Sequence, residues 1–183
     1  MDLMEAIYQR RSVRRYKPDP VREEDLNAIL DAARWAPSWA NTQCWSLVVV
    51  RDAGVKAALA DTLNPTNPAL KSITEAPVVI VACAEVEKSG WKKGEPVTDK
   101  GDYWYMFDVA LAMQNLVLAA HSLGLATVHV GLFDARRAAT VLGLPPGVVC
   151  VEMTPLGYAD EAPEAPPRKE LAEIVFHNSY GQA

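Results

Sequence analysis

The sequence predicts one domain, spanning residues 1–183, in which α-helices pack on a β-sheet. The chain has 183 residues, half of them hydrophobic, which suffices for one well-buried domain but not comfortably for two. Short β-branched apolar runs occur between longer segments whose apolar residues recur at helical spacing. The sequence has no internal repeat and no region that reads as a second domain.

Composition and charge disfavour several classes of partner. The net charge of −5 argues against a broad nucleic-acid or anionic-membrane surface. No apolar run reaches the roughly 18 to 20 residues that span a bilayer, and Met1–Glu5 carries acids rather than the start of a signal peptide. The three cysteines are scattered without a CxxC pair, which is typical of reduced thiols. We therefore expect a cytoplasmic protein.

Two helices stand out in the pattern. An amphipathic helix begins near Arg22, carries acids in its first turn and ends at Pro37. A longer helix from about Gly101 to Leu123 is apolar nearly all round, which predicts burial by the sheet and by a partner subunit. Shorter helices are predicted over residues 2–9, 53–62 and 134–142.

Four short apolar runs predict the strands Trp45–Val50, Pro77–Cys83, Ala126–Val130 and Val148–Met153. Residues 85–101 are charged and contain glycine, which favours a mobile excursion or lid. Four prolines between residues 155 and 167 predict an extended C-terminal arm. A final helix or strand is expected around Leu171–Val175.

The densest charge feature is a set of four arginines within residues 10–15. Guanidinium groups bind phosphate in bidentate fashion, although such a cluster alone is more typical of a solvated basic turn. Its position at a helix exit, and a second basic pair at Arg168–Lys169, favour an anion site. A phosphorylated protein partner would satisfy the same arginines.

An ordered set of motifs covers nearly the whole chain: Arg10–Arg14, Ala36–Trp45, Asp108–Leu116, Val130–Asp134, Pro155–Tyr158 and Arg168–Lys169. Each motif is weak alone, but the set in this order resembles the FMN-dependent nitroreductase family. The resemblance implies an α+β fold in which helices flank a mixed β-sheet. It also implies a homodimer that holds two flavins at its interface.

For the flavin's phosphate, the resemblance assigns Arg10 and Arg168, with Lys169 assisting. Ser12 is expected at the polar tail or the ring edge, and Arg11 to contribute a backbone contact. The dianionic phosphate, of charge near −2, calls for partners of this kind.

For the isoalloxazine ring, the resemblance places Arg14 and Lys71 near the pyrimidine end, where a cation stabilises the negative charge of the reduced flavin. Gly131 with Leu132 would approach N5, since glycine permits close backbone approach. Ser38 and Asn41 match residues that reach the flavin from the other subunit, which completes the expected cofactor-binding set.

Two residues of the same loop depart from the family pattern. Cys44 stands where the family usually has proline, and it is interpreted as a buried structural cysteine or as a thiol near the flavin. Trp39 is bulkier than expected and either narrows the substrate space or packs at an interface. Among the histidines, His121 is expected to be packed in the long helix, and His129 is a candidate for the flavin edge.

The implied activity is ping-pong reduction of a small-molecule acceptor, such as a nitroaromatic or quinone, by NADH or NADPH through FMN. No side-chain acid or base and no metal is required. A flavin-binding carrier or sensor without general turnover is the main alternative. Reductive dehalogenation or flavin fragmentation is a specialised possibility within the same family. The sequence has no glycine-rich dinucleotide or P-loop motif.

Overall fold

A computed structural model describes residues 1–182. Its helices, in chain order, are α1 (Leu3–Gln9), α2 (Glu23–Arg34), α3 (Ala53–Ala60), α4 (Leu70–Glu75), α5 (Trp104–Ser122), α6 (Ala135–Leu142) and α7 (Leu171–Ile174). Its strands are β1 (Trp45–Val50), β2 (Val78–Glu85), β3 (Trp91–Lys92), β4 (Glu95–Pro96), β5 (Ala126–Thr127) and β6 (Val148–Gly157). No helix within residues 1–182 is both long enough and apolar enough to cross a bilayer.

The main sheet has four strands in the order β1-β2-β6-β5, and every neighbouring pair is antiparallel. A single parallel bridge joins Ser12 to Thr127 at the β5 edge, which attaches the segment after α1 to the sheet. The α+β expectation is confirmed, and the parallel part of the sheet is limited to that bridge.

Strand β2 lies at the centre of the fold because both of its faces are apolar. Ile80 packs on one side against Met113 and Leu116 of α5, with α2 beyond. Val79 and Val81 face the opposite layer, which α3, α4 and α6 build. Alternate residues of a strand point to opposite faces, so an unbroken apolar run indicates a strand covered on both sides. Helix α5 therefore covers one face of the sheet and is buried there, as its apolar sequence predicts.

Two predicted boundaries are wrong. The third strand stops at Thr127, because the chain leaves the sheet there and returns only for a single bridge between Val130 and Met153. The fourth strand continues through Pro155 to Gly157, so the arm begins later than predicted. On β6, strand β5 pairs with Leu156 and Gly157, so a proline at position 155 interrupts neither of these pairs.

The segment predicted to be an excursion forms a short hairpin, in which β3 pairs with β4. Its start is anchored to the body of the protein, because Ser89 is buried. Farther on, residues 161–170 contain no helix or strand, in agreement with the predicted extended arm.

Candidate functional site

The arginine segment begins where α1 ends. Asp2 caps the helix by accepting a hydrogen bond from the backbone of Glu5 at 2.9 Å, and the backbone N–H of Arg10 closes the last turn. Beyond Arg10 the chain is extended along the β5 edge, where the Val13 N–H donates to the Thr127 carbonyl at 3.0 Å. This attachment fixes the position of the arginines relative to the sheet.

A pocket of about 500 Å³ opens beside this segment, and its lining includes Arg10, Arg11, His121 and Glu161. The Arg10 Nη1 atom is buried and has no hydrogen-bond partner within residues 1–182. A buried charged donor without an acceptor is unfavourable, so the pocket has the chemistry of an anion site.

The electrostatics of Arg10 indicate which other cations act on it. Its pKa is lowered, first by burial and then by the positive charges of Arg11 and Arg168. Arg168 does not line the pocket, but its charge acts on Arg10 although the two residues are far apart in sequence. An anion placed between them would relieve this repulsion, and phosphate, with several acceptor oxygens, satisfies guanidinium donors best.

Arg11 and Arg168, whose charges lower the pKa of Arg10, have different hydrogen-bond partners. Arg11 donates from Nη1 to the carbonyls of Tyr8 and Arg10, at 2.7 and 2.8 Å. Part of its guanidinium group is therefore already bound to the end of α1. Arg168 is exposed on the arm and donates only to nearby arm carbonyls, those of Pro166 and Pro167. Lys169 is also exposed on the arm. The arm cations are thus available to a ligand.

A second pocket, of about 360 Å³, lies where the chain leaves the sheet after β5, and its lining includes Arg14, Asn67, His129, Gly131 and Leu132. Asn67 donates from Nδ2 to the Leu132 carbonyl at 3.1 Å and so holds this loop in place. A Cβ added at Gly131 would meet no heavy atom within 4 Å. The protein itself leaves open space above that backbone.

His129 is paired in this second pocket rather than free. Its Nδ1 lies 2.5 Å from Oε1 of Glu152 on β6, and the His129 side chain is partly exposed. His129 lines the same pocket as Gly131, and its place at the flavin edge stays a prediction.

Arg14 connects this pocket to a third one, of about 500 Å³, whose lining also includes Lys71. The backbone of Arg14 is held on both sides: its N–H donates to Oε1 of Glu161 at 2.5 Å, and its carbonyl accepts from the buried Ser72 hydroxyl at 2.8 Å. The side chain is exposed, so Arg14 and Lys71 present two cations beside the Gly131 pocket.

Ser38 and Asn41 lie elsewhere, in the loop between α2 and β1, and line none of these three pockets. The Ser38 hydroxyl accepts from the Gln43 N–H at 2.9 Å, and Asn41 Oδ1 accepts from Gln43 Nε2 at 3.2 Å. Asn41 has a φ of 56°, a left-handed conformation that needs support from its surroundings.

The same loop is anchored at other residues by Asp108 on α5, which is buried. Its carboxylate accepts from the Trp39 N–H at 3.2 Å and from the Ser89 hydroxyl at 2.6 Å, and the Cys44 thiol lies 3.8 Å away. Cys44 is fully buried, as the structural interpretation requires, while Lys92 lies over the Trp39 ring at 5.7 Å. One carboxylate thus joins the loop, α5 and the hairpin segment.

Four of these residues were given no binding or anchoring role from the sequence: Asn67, Asp108, His121 and Glu161. Asp108 had a detectable signal, since it is the only acidic residue in the apolar helix α5. Glu161 had none, because its contact with the Arg14 backbone depends on the path of the arm.

Comparisons with known proteins agree with this architecture. The family model described as "Nitroreductase family" matches residues 7–158. An NADH dehydrogenase of Thermus thermophilus is 30% identical over 200 residues, which cover 96% of this chain and 96% of that protein. An oxygen-insensitive NADPH nitroreductase of Salmonella typhimurium is 27% identical over 181 residues, covering 97% and 74% respectively.

The solved structure of the NADPH:FMN oxidoreductase of Vibrio harveyi complexed with NAD⁺ superimposes with a TM-score of 0.84 at 27% identity. The superposition covers 98% of this chain and 78% of that one. Because the family model spans most of the sequence and the fold is shared, this chain belongs to the nitroreductase family.

Proposed function

We propose that the chain is an FMN-dependent oxidoreductase that uses NADH or NADPH to reduce conjugated acceptors, such as nitroaromatics and quinones, by a ping-pong mechanism. The observation that carries this proposal is the buried Arg10 Nη1, which has no partner among the described residues and faces a pocket shared with Arg11 and, through its charge, Arg168. The names of the relatives, which include a flavin oxidoreductase and nitroreductases, support the same chemistry.

In this proposal the phosphate of FMN lies in the arginine pocket. Arg10 and Arg168 donate to its oxygens, Lys169 adds charge from the arm, and Arg11 adds charge while it fastens α1. Ser12, at the bridge to Thr127, lies next along the chain toward the ring. Fixed cations of this kind stabilise a dianion without reorganisation.

The ring system of FMN lies, in this proposal, against the second pocket. Gly131 and Leu132 present backbone to it, and Gly131 leaves room for close approach. Arg14 and Lys71 provide positive charge on one side. Bound FMN supplies hydride acceptance from the nicotinamide and electron delivery to the acceptor. The residues contribute position and electrostatics, and no side-chain acid or base is assigned.

A homodimer completes the proposed site, because Ser38 and Asn41 line neither the arginine pocket nor the two pockets that Arg14 lines in their own chain. Large apolar side chains remain exposed on two helices, among them Leu3 and Tyr8 of α1 and Phe107 of α5. Phe107 also lines a shallow pocket together with Ser38 and Trp39. Apolar surface beside this loop favours a second copy as its cover.

The test begins with the visible spectrum of the protein after incubation with FMN and removal of the excess. We expect a bound flavin that NADH or NADPH bleaches without oxygen, followed by turnover with a nitroaromatic or a quinone. A yellow protein that none of these acceptors reoxidises would favour a carrier or sensor. A protein that retains no FMN would contradict the proposal and leave a phosphorylated partner as the ligand of the arginines.

The phosphate assignment has a sharper test in Arg168→Ala. One charge-assisted hydrogen bond contributes about 1.5 to 3 kcal/mol, so the Kd for FMN should rise about 10- to 100-fold. Arg15→Ala is the matched control, because Arg15 is exposed and pairs with Asp160 on the surface. Equal FMN affinity in Arg168→Ala and Arg15→Ala would refute the role of Arg168.

A further inference from the structure

His121 lies in the last turn of α5, and its imidazole lines the arginine pocket. Its Nε2 atom is buried and has no hydrogen-bond partner within residues 1–182, like Nη1 of Arg10 in the wall of the same pocket. The pocket is therefore lined by two residues that each carry a buried nitrogen atom without a hydrogen-bond partner among the described residues. The sequence predicted only a packed histidine at this position.

The charges that face His121 come from four parts of the chain. Helix α1 contributes Glu5, the segment after it contributes Arg10 and Arg11, and the arm contributes Glu161 to the pocket lining. Met1, which carries the α-amino group, also lines the pocket, whereas the stretch from Gly124 to Thr127 contributes no titratable group. Apart from the two carboxylates, the charged groups around His121 are therefore positive.

This environment opposes protonation of the imidazole in the unliganded protein. Burial lowers the pKa of His121 first, and the charges of Arg10 and then Arg11 lower it further, against the smaller raising effect of Glu5. A dianionic phosphate in the pocket would offset the positive charges of Arg10 and Arg11 and so raise the pKa of His121, and the carboxyl end of a helix also favours a cation.

We infer that His121 takes up a proton when a phosphate-bearing ligand binds beside Arg10, so that this side chain links FMN binding to pH. This role rests on the proposed function, since FMN supplies the phosphate. His121 then acts as a proton-linked positioning residue of the phosphate pocket and takes no part in electron transfer.

The direction of the pH effect follows from the two protonation states. The pKa of His121 is lowered in the free protein and is expected to be higher in the complex. Between these two pKa values, binding takes up a proton, so affinity increases as the pH falls, by at most about tenfold per pH unit. Below both values, or above both, the contribution of His121 is constant.

The phosphate itself also titrates, with a second pKa near 6. If the pocket selects the dianion, this titration makes the affinity for FMN increase as the pH rises, which is opposite to the effect of His121. That contribution is the same with or without His121. A comparison of the protein with His121→Gln therefore isolates the imidazole, because glutamine keeps a polar side chain that cannot be protonated.

The experiment is a calorimetric titration of FMN at pH 6 to 8 in two buffers of different ionisation enthalpy, which gives the number of protons taken up. We expect the unaltered protein to take up more protons than His121→Gln, by up to one, and its Kd to rise more steeply with pH. Riboflavin, which lacks the phosphate, should show no difference between the two proteins. His177→Gln is the control, because His177 is exposed near the C-terminus.

Equal proton counts for the unaltered protein and His121→Gln would overturn the inference while leaving the proposed function intact. The same difference with riboflavin as with FMN would also overturn it. Failure of the unaltered protein to bind FMN would overturn both. If His121→Gln does not fold, the His121 ring proton is followed by NMR in the unaltered protein, with His129→Gln and His177→Gln used to assign it. An unchanged His121 pKa on FMN binding would then count against the inference.

Discussion

The hydroxyl of Ser89 donates a hydrogen bond of 2.6 Å to Oδ2 of Asp108, and both side chains are buried. The same carboxylate accepts the N–H of Trp39 at 3.2 Å. Asp108 therefore connects helix α5 to the loop that carries Ser38 and Asn41 and to the segment that leads into the β3-β4 hairpin. Segments that are separate in sequence share one acceptor.

Asp108→Ala should lower the free energy of unfolding by about 2 to 4 kcal/mol, because it removes the buried carboxylate that accepts from the Trp39 N–H and from Ser89, which then keeps Thr42 as its side-chain partner. The measurement is urea-induced unfolding. Asp102→Ala is the control, since Asp102 is exposed in the turn before α5 and should change stability by less than about 0.5 kcal/mol. Equal losses in the two variants would show that the buried contacts of Asp108 contribute nothing specific.

Two glycines should respond in opposite ways to alanine. A Cβ at Gly157 would lie 2.7 Å from Cδ of Pro77, so Gly157→Ala requires the β6 backbone to shift and should cost about 1 to 3 kcal/mol of stability. A Cβ at Gly131 meets nothing within 4 Å, so Gly131→Ala should leave thermal unfolding of the FMN-free protein unchanged. Loss of stability in Gly131→Ala would contradict the open space above that residue.

Gly131→Ala should nevertheless weaken FMN binding, because the proposed function places the flavin in that space. The measurement is the Kd for FMN by quenching of flavin fluorescence, compared with Leu132→Ala, which removes an exposed side chain but keeps the backbone. An unchanged Kd in Gly131→Ala would argue against close approach of the ring to this backbone.

The three cysteines should be unreactive in the folded protein. Cys44, Cys83 and Cys150 are all buried, and Cys83 lies opposite Cys150 in the register of β2 and β6. Burial raises the pKa of Cys44, and a hydrogen bond with Cys150, together with burial, raises the pKa of Cys83. The same hydrogen bond lowers the pKa of Cys150, so the expectation for that thiol depends on its burial. An aromatic disulfide reagent at pH 8 should therefore titrate no thiol within minutes, and three after addition of guanidinium chloride.

Rapid modification of one thiol in the folded protein would contradict that expectation, and Cys44→Ser would show whether Cys44 is responsible. Labelling of Cys44 would also revive the interpretation of this residue as a thiol exposed to the flavin site. Slow labelling supports the structural role, in which Cys44 packs as a small, buried, largely apolar side chain next to Asp108.

The local spacing of apolar residues is enough to predict the helices and strands in which that spacing is regular. Helix α2 and strand β2 were predicted nearly to the residue, because the burial of each depends on its own spacing of apolar side chains. The end of β5 was not, since pairing there depends on where the chain turns away from β6. The predicted end of β6 at Met153 is too early, because Pro155 suggests the end of a strand unless the pairing of the adjacent strand β5 is known.

The same distinction holds for the candidate site. The resemblance predicts a shared phosphate-binding role for Arg10 and Arg168; Arg10 lines the pocket, whereas Arg168 only lowers the pKa of Arg10 through its charge, so the shared role stays a prediction. The contacts of Asp108 with the Trp39–Cys44 loop and of Glu161 with Arg14 could not be predicted, because each joins segments 64 or more residues apart through one carboxylate. Long-range polar contacts of this kind leave no period in the sequence.

The proposed dimer has a test that does not involve FMN. Phe107 is 60% exposed on α5 and lies beside Ser38 in a shallow pocket, so Phe107→Glu places a charge at the expected interface without disturbing the core. Sedimentation velocity should show a dimer for the unaltered protein and a shift toward monomer for this variant. Thr140→Glu is the matched control, because Thr140 is exposed on α6 in the opposite layer of the sheet. If the dimer tolerates the charge at position 107 as well as at position 140, the interface lies elsewhere. If the unaltered protein is a monomer, Ser38 and Asn41 cannot contact a flavin bound to a second subunit, and the proposed dimeric site is wrong.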